Sequence, residues 1–357
     1  MAEVTSQSLG HSVPVANVQA LAAAIDGQTD IPPRYIRPEA ESDPIARDDD
    51  GQFPVIDLKR LLDPEFSEDE TAKLDHACQE WGFFQLINHG VPDEVIKRMK
   101  DDIMEFFKLP LEEKKAFAQL PNSLEGYGQA FVVSEDQKLD WADMIYLISR
   151  PLHSRNMRFW PTHPPTFRAT LDNYSLELKQ VAGCLLKFLA KSLGLEPGII
   201  SNIFKDQPQG VRINYYPPCP KADKVLGLSA HTDATGLTLL LQVSDVQGLQ
   251  IKKDGKWFLV DPLPGAFVVQ VGDILEILSN GKYKSSVHRA TINTEKERLS
   301  VAAFHGPDHD SMVGPLRELL KGGKEHYKSM SYQDYMKTFF SAKLEGRTLL
   351  ESMKLND

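Results

Sequence analysis

From Gln209 onward the chain is written in short stretches of alternating character broken by turn residues, a pattern suited to a closed β structure. The stretches are VRINYYPPCP, TLLLQ, GLQIKKDGKWFLV, AFVVQVGD, LEILSNGKYKS, SVHRATIN and RLSVAAF. Asp254-Gly255 and Asn280-Gly281 stand where hairpin turns are expected, since type I′ turns need two residues at positive φ. The pattern predicts a β-barrel or jelly roll of about eight strands, wrapped by helices from earlier in the chain.

In a strand, residues two apart share a face. Arg212, Asn214 and Tyr216 therefore point one way and Val211, Ile213 and Tyr215 the other. Arg298, Ser300, Ala302 and Phe304 likewise oppose Leu299, Val301 and Ala303, while His288 sits with Ser286 and Ala290. The wholly apolar faces are expected against helices and the mixed faces inside the barrel, and a polar interior in a small barrel usually means a ligand.

Upstream, residues 1–53 read as a loosely attached arm with a short helix at 18–25, followed by a Pro- and charge-rich run. Residues 54–205 mix short strands at 55–58 and FFQLIN with helices expected over 92–107 and 167–193. The core occupies 206–306, and 307–357, including SYQDYMKTFFSAKL, read as a helical cap. The 357 residues carry a net charge of -10 with both signs interspersed, which argues against nucleic acid or an anionic membrane as partner and for a small molecule. Cys78, Cys184 and Cys219 form no C-x-x-C pair, and no membrane span or basic leader is evident, so a cytoplasmic protein is expected.

His231 and Asp233 stand one residue apart in SAHTDATGLTLLLQ, at the mouth of the apolar run from Leu237 to Leu241. Burying a carboxylate there costs several kcal/mol unless it is paired or metal-bound. On extended backbone the two side chains aim to one side, and His288 from a distant strand would complete a two-His-one-carboxylate set. A plain hydrogen bond between His231 and Asp233 in a turn is the other reading. Arg298-x-Ser300 suits a carboxylate ligand, against which stands a solvated pairing of Arg298 with Glu295 or Glu297.

HTD, SSVHRATIN and ERLS, preceded by INYYPPCP and by EWGFFQLINHGV, resemble the plant Fe(II)- and 2-oxoglutarate-dependent dioxygenases over about residues 50 to 345. GYGQAF, SEDQKLDW and GDILEILSNGKYKS are similar to the branch containing the senescence-related, morphinan O-demethylase, melatonin hydroxylase and lateral-branching oxidoreductase proteins. The resemblance implies an α+β fold with a double-stranded β-helix core, in which the strand bearing His288 lies beside the strand bearing His231. It implies that His231, Asp233 and His288 bind Fe(II) and that Arg298 and Ser300 hold the distal carboxylate of 2-oxoglutarate, with Tyr216 and Asn214 assisting. His89 and Cys219 are expected to be structural.

The chemistry so implied consumes O2 and 2-oxoglutarate, with ascorbate as reductant, and hydroxylates or O-demethylates a small, mostly apolar plant metabolite or hormone. By resemblance to the family, Phe131, Val133, Tyr146 and Phe304 are expected to face the substrate, plain hydrophobic core being the other reading; His305 and His309 are expected at the surface, with contact to substrate the alternative. A monomer is expected. The alternatives are a ligand-binding protein without turnover and an oxidase of the ethylene-forming type that does not consume 2-oxoglutarate.

Overall fold

The computed structural model describes residues 15–25, 30–38, 45–46, 53–121, 123–129, 132, 134–206, 208–341 and 348–355. Twelve strands make two sheets at its centre. The first four are β1 (Val55–Asp57), β2 (Phe83–Ile87), β3 (Gly126–Gly128) and β4 (Asp143–Arg150). Next come β5 (Gln209–Tyr216), β6 (Leu228–His231), β7 (Leu237–Gln242) and β8 (Leu249–Lys253). The last are β9 (Lys256–Leu259), β10 (Phe267–Val271), β11 (His288–Ala290) and β12 (Arg298–His305). The larger sheet runs β1-β2-β10-β7-β12-β5-β4-β3 and the smaller β6-β11-β8-β9. The strands after Gln209 thus divide four and four, forming the double-stranded β-helix of an α+β fold.

Alternation assigns each face of the larger sheet. Val211, Ile213, Leu239, Leu241, Val301 and Ala303 belong to one apolar core with Leu171, Tyr174, Leu178, Leu185 and Leu189 of the Phe167–Ser192 helix. Met99, Ile103 and Phe106 of the Asp93–Lys108 helix join the same core. The residues between them turn the other way: Leu240, Val268 and Ala302 meet Leu249 and Ile251 of the smaller sheet. The two long helices match their sequence-based bounds to within a residue, because a long amphipathic period is hard to mistake. From the arm, the backbone N–H groups of Val18 and Gln19 donate to the buried Asp143 carboxylate at 3.0 and 2.8 Å.

Three sequence expectations need correction. LEILSNGKYKS is no strand pair: Asp273–Leu278 is a helix buried on all sides, and such a run carries no period that separates helix from strand. Asn280 and Gly281, at φ 53° and 86°, end that helix, with the Gly281 N–H returning to the Glu276 carbonyl at 2.8 Å. The other turn forms as expected, Asp254 and Gly255 joining β8 to β9 at φ 49° and 79°. β4 was not anticipated, although its eight residues pair with both β3 and β5. Finally, His305 is fully buried, because β12 runs one residue past Phe304 and alternation places His305 with Leu299, Val301 and Ala303. Its ring nitrogens have no partner. His309 is exposed.

Truncating Leu185, fully buried, to Ala should cost about 2–5 kcal/mol in a denaturant titration. Leu176→Ala on the same helix, 44% exposed, should cost less than about 0.5 kcal/mol. A second test concerns His305, whose imidazole is held down to about 3 by burial and by the charge of Lys179. The unfolded chain binds the extra proton first, so its contribution to stability is complete above pH ~6.5 and shrinks as pH falls toward 3. Between pH 7 and pH 5 His305→Phe should therefore lose about 2 kcal/mol less stability than the parent protein. Equal acid sensitivity of the two would contradict this.

Candidate metal centre and the cavities beside it

β6 and β11 are antiparallel neighbours with His231 directly opposite His288. Asp233 follows in the loop that leaves β6, and one donor atom from each of the three lies within 4.8 Å of the others. All three residues are buried. The Nδ1 atoms face backbone carbonyls, His231 that of Ser229 at 2.8 Å and His288 that of Ser286 at 3.3 Å. With Nδ1–H donating there, each Nε2 keeps its lone pair free and stands 3.5 Å (His231) or 3.7 Å (His288) from Asp233 Oδ1.

The loop is braced from beneath. Asp233 Oδ2 accepts the Thr238 hydroxyl at 2.5 Å, and the Asp233 carbonyl accepts the Asp273 N–H at 2.8 Å. The Asp273 carboxylate in turn accepts Ser285 at 2.6 Å, Tyr335 at 2.8 Å and Thr232 at 3.3 Å. Gly272 permits this approach, since a Cβ there would run into the carbonyl oxygens of Thr235 and Asp233. Burial alone would raise the Asp233 carboxyl, but His288, His231 and Thr238 together hold it down at about 2. Burial, then the neighbouring His231, lowers His288 to about 4. An ionised carboxylate beside a neutral imidazole is a donor set suited to a divalent metal. A bond between His231 and Asp233 alone leaves the convergence of His288 unexplained.

One cavity, bordered by His231, Asp233 and His288, runs back between the sheets to Arg298 and Ser300. β12 and β5 pair Arg298 with Tyr216 and Ser300 with Asn214. The Arg298 guanidinium is buried 5.1 Å over the Tyr216 ring and donates to Gln242 Oε1 at 3.1 Å, but its Nε has no partner. Asn214 Nδ2 reaches Ser300 Oγ at 3.5 Å while its Oδ1 is unpartnered. Burial pulls the Arg298 pKa below its usual value, and no carboxylate among the described residues compensates the charge. The solvated pairing with Glu295 or Glu297 is thereby excluded, and the pocket fits a carboxylate-bearing ligand.

A second cavity shares Arg212, His231, Asp233 and Phe304 with the first. Tyr146 lines it, as do Met336, Phe339 and Phe340 of the Tyr332–Ser341 helix. Phe131 and Val133 lie outside the described residues. Sequence reasoning put Arg212 on the interior face but gave it no role, although it borders both cavities and its Nε is unpartnered. Thr238 and the cap residues were missed as well. Their spacing says only that they face something.

Two family models match the chain: "non-haem dioxygenase in morphine synthesis N-terminal" over residues 53–163 and "2OG-Fe(II) oxygenase superfamily" over residues 208–307. Among curated proteins, 2-oxoglutarate-dependent dioxygenase 11 of Oryza sativa subsp. japonica is 56% identical, covering 98% of this chain and 99% of its own. S-norcoclaurine synthase 1 of Coptis japonica is 53% identical over 97% and 98%. Among solved structures, JOX2 in complex with 2OG, Fe and JA superposes with a TM-score of 0.88 at 36% identity, covering 96% of this chain and 99% of that one. Identity at this level over nearly the whole length, on a fold with a His-Asp-His cluster beside a carboxylate pocket, makes the chain a member of the plant 2-oxoglutarate- and Fe(II)-dependent dioxygenases.

Proposed function

We propose that His231, Asp233 and His288 hold Fe(II), and that Arg298 and Ser300 receive the distal carboxylate of 2-oxoglutarate with Tyr216 and Asn214 beside them. The enzyme then hydroxylates or O-demethylates a small, mostly apolar plant metabolite or hormone held under the Tyr332–Ser341 helix. The observation that carries this reading is the convergence of three buried donors next to an uncompensated buried arginine. When bound, iron and 2-oxoglutarate supply with O2 the oxidising power that inserts oxygen into a substrate C–H bond, leaving succinate and CO2.

The chain's own residues orient and enclose. Backbone carbonyls of Ser229 and Ser286 fix the imidazole rings, and Thr238 fixes the carboxylate. The apolar side chains of Phe304, Met336, Phe339 and Phe340 keep water from the reacting centre, and together with Tyr146 they favour an aromatic or polycyclic substrate. Hydroxylation at an O-methyl carbon yields a hemiacetal that collapses to formaldehyde and the free alcohol. The three cysteines are all free, which supports a reducing compartment such as the cytoplasm. No helix among the described residues is long and apolar enough to cross a membrane.

In anaerobic titrations His231→Ala should lose Fe(II) binding, and with ascorbate present it should form no succinate; retained turnover would refute the assignment. Arg298→Leu should raise the KM for 2-oxoglutarate about 100-fold, the loss of roughly 2–3 kcal/mol from a charge-assisted pair. An unchanged KM would refute the role of Arg298, and turnover without 2-oxoglutarate would favour the ethylene-forming type of oxidase.

A further inference from the structure

The passage to the metal does not end at the second cavity. It continues into a third that shares Leu124, Tyr146, Thr235, Phe304, Met336 and Phe340 with it. Glu125, only 1% exposed and immediately before β3, stands in the wall of this outer part. Its Oε1 accepts the Ile148 N–H of β4 at 2.9 Å, which continues the pairing of β4 beyond the first residue of β3. Its Oε2 has no partner.

One oxygen therefore does the structural work and the other is left over. Burial pushes the carboxyl up to about 7, against the lowering effect of the Ile148 N–H, and no cation among the described residues offsets it. Arg150, on the same wall, directs its Nη2 to Asp172 at 2.8 Å while its Nε has no partner, and His309 is exposed. Four of the other lining residues are aromatic, Tyr146, Phe304, Tyr332 and Phe340, and the rest are aliphatic or small and polar. A buried carboxylate without a counter-charge, in the wall of a cavity that aromatic rings also line, is short of a cation, and rings attract cations through their faces.

We propose that Glu125 is a specificity-determining residue that anchors the end of the substrate remote from the metal, and that this end carries a protonated amine enclosed by the rings of Tyr146, Tyr332 and Phe340. This rests on the oxygenase reading above and adds the substrate's chemical class: an aromatic or polycyclic compound with a basic nitrogen. A glutamine at 125 keeps the acceptor for Ile148 and removes only the charge, so a purely structural role and the proposed one respond differently to Glu125→Gln.

The full chain, loaded anaerobically with Fe(II) and 2-oxoglutarate, is titrated by calorimetry with three probes of one scaffold: para-methoxyphenethylamine, para-methoxyphenethyl alcohol and para-propylanisole. The amine should bind about tenfold more tightly than the hydrocarbon. In Glu125→Gln that preference should vanish while hydrocarbon affinity and 2-oxoglutarate binding stay as they were. Equal binding of amine and hydrocarbon, an amine preference that survives in the variant, or an alcohol bound as tightly as the amine would each overturn the proposal. The comparison within the parent protein is decisive even if the glutamine form fails to fold. Absence of Fe(II) or 2-oxoglutarate binding in the parent protein would instead strike the oxygenase reading.

Discussion

Charge enclosed between two β-sheets is the constraint around which this molecule is organised. Asp233, His231, His288 and Arg298 are all buried, and desolvation works against the ionised carboxylate and against the guanidinium. The protein answers the first with hydrogen bonds and neighbouring imidazoles. It leaves the second largely unanswered, with a free Nε and an unpartnered Asn214 oxygen nearby. That difference distinguishes a donor set suited to a metal from a pocket suited to an anion.

Support for this interior comes from both ends of the chain. β1 to β4 extend the larger sheet at its two edges, so the strands that carry Arg298 and Asn214 are central rather than exposed. On the other side, the Tyr332–Ser341 helix is tied to the loop that carries Asp233: Tyr335 donates to Asp273, which also holds Thr232 and, through its backbone, Asp233. The same helix lends Met336, Phe339 and Phe340 to the second cavity. One element thus lines that cavity and braces the loop that carries Asp233.

Much of this was legible in the residue order. Period-two alternation separated Arg212, Asn214 and Tyr216 from Val211, Ile213 and Tyr215, and the sheets keep that division. His305 would have been assigned to the buried face had the last strand been read one residue further. LEILSNGKYKS misled because an apolar run buried on every side has no face to betray its period, and because Asn-Gly ends a helix as readily as it turns a hairpin. The cavity-lining positions of Met336, Phe339, Phe340 and Glu125 carried no local signal, since an apolar helix stripe or a lone acid before a glycine reads the same wherever it docks.

The residue order alone determined which side chains turn inward, because side-chain direction along an extended strand alternates whatever lies around it. Which of those inward groups meet was decided only by the tertiary structure. Setting His288 opposite His231, and leaving Arg298 and Glu125 each with an idle polar atom, depends on the pairing and register of strands far apart in the chain. That register is chosen by the packing of both sheets and their helices together, a property no single stretch of sequence contains.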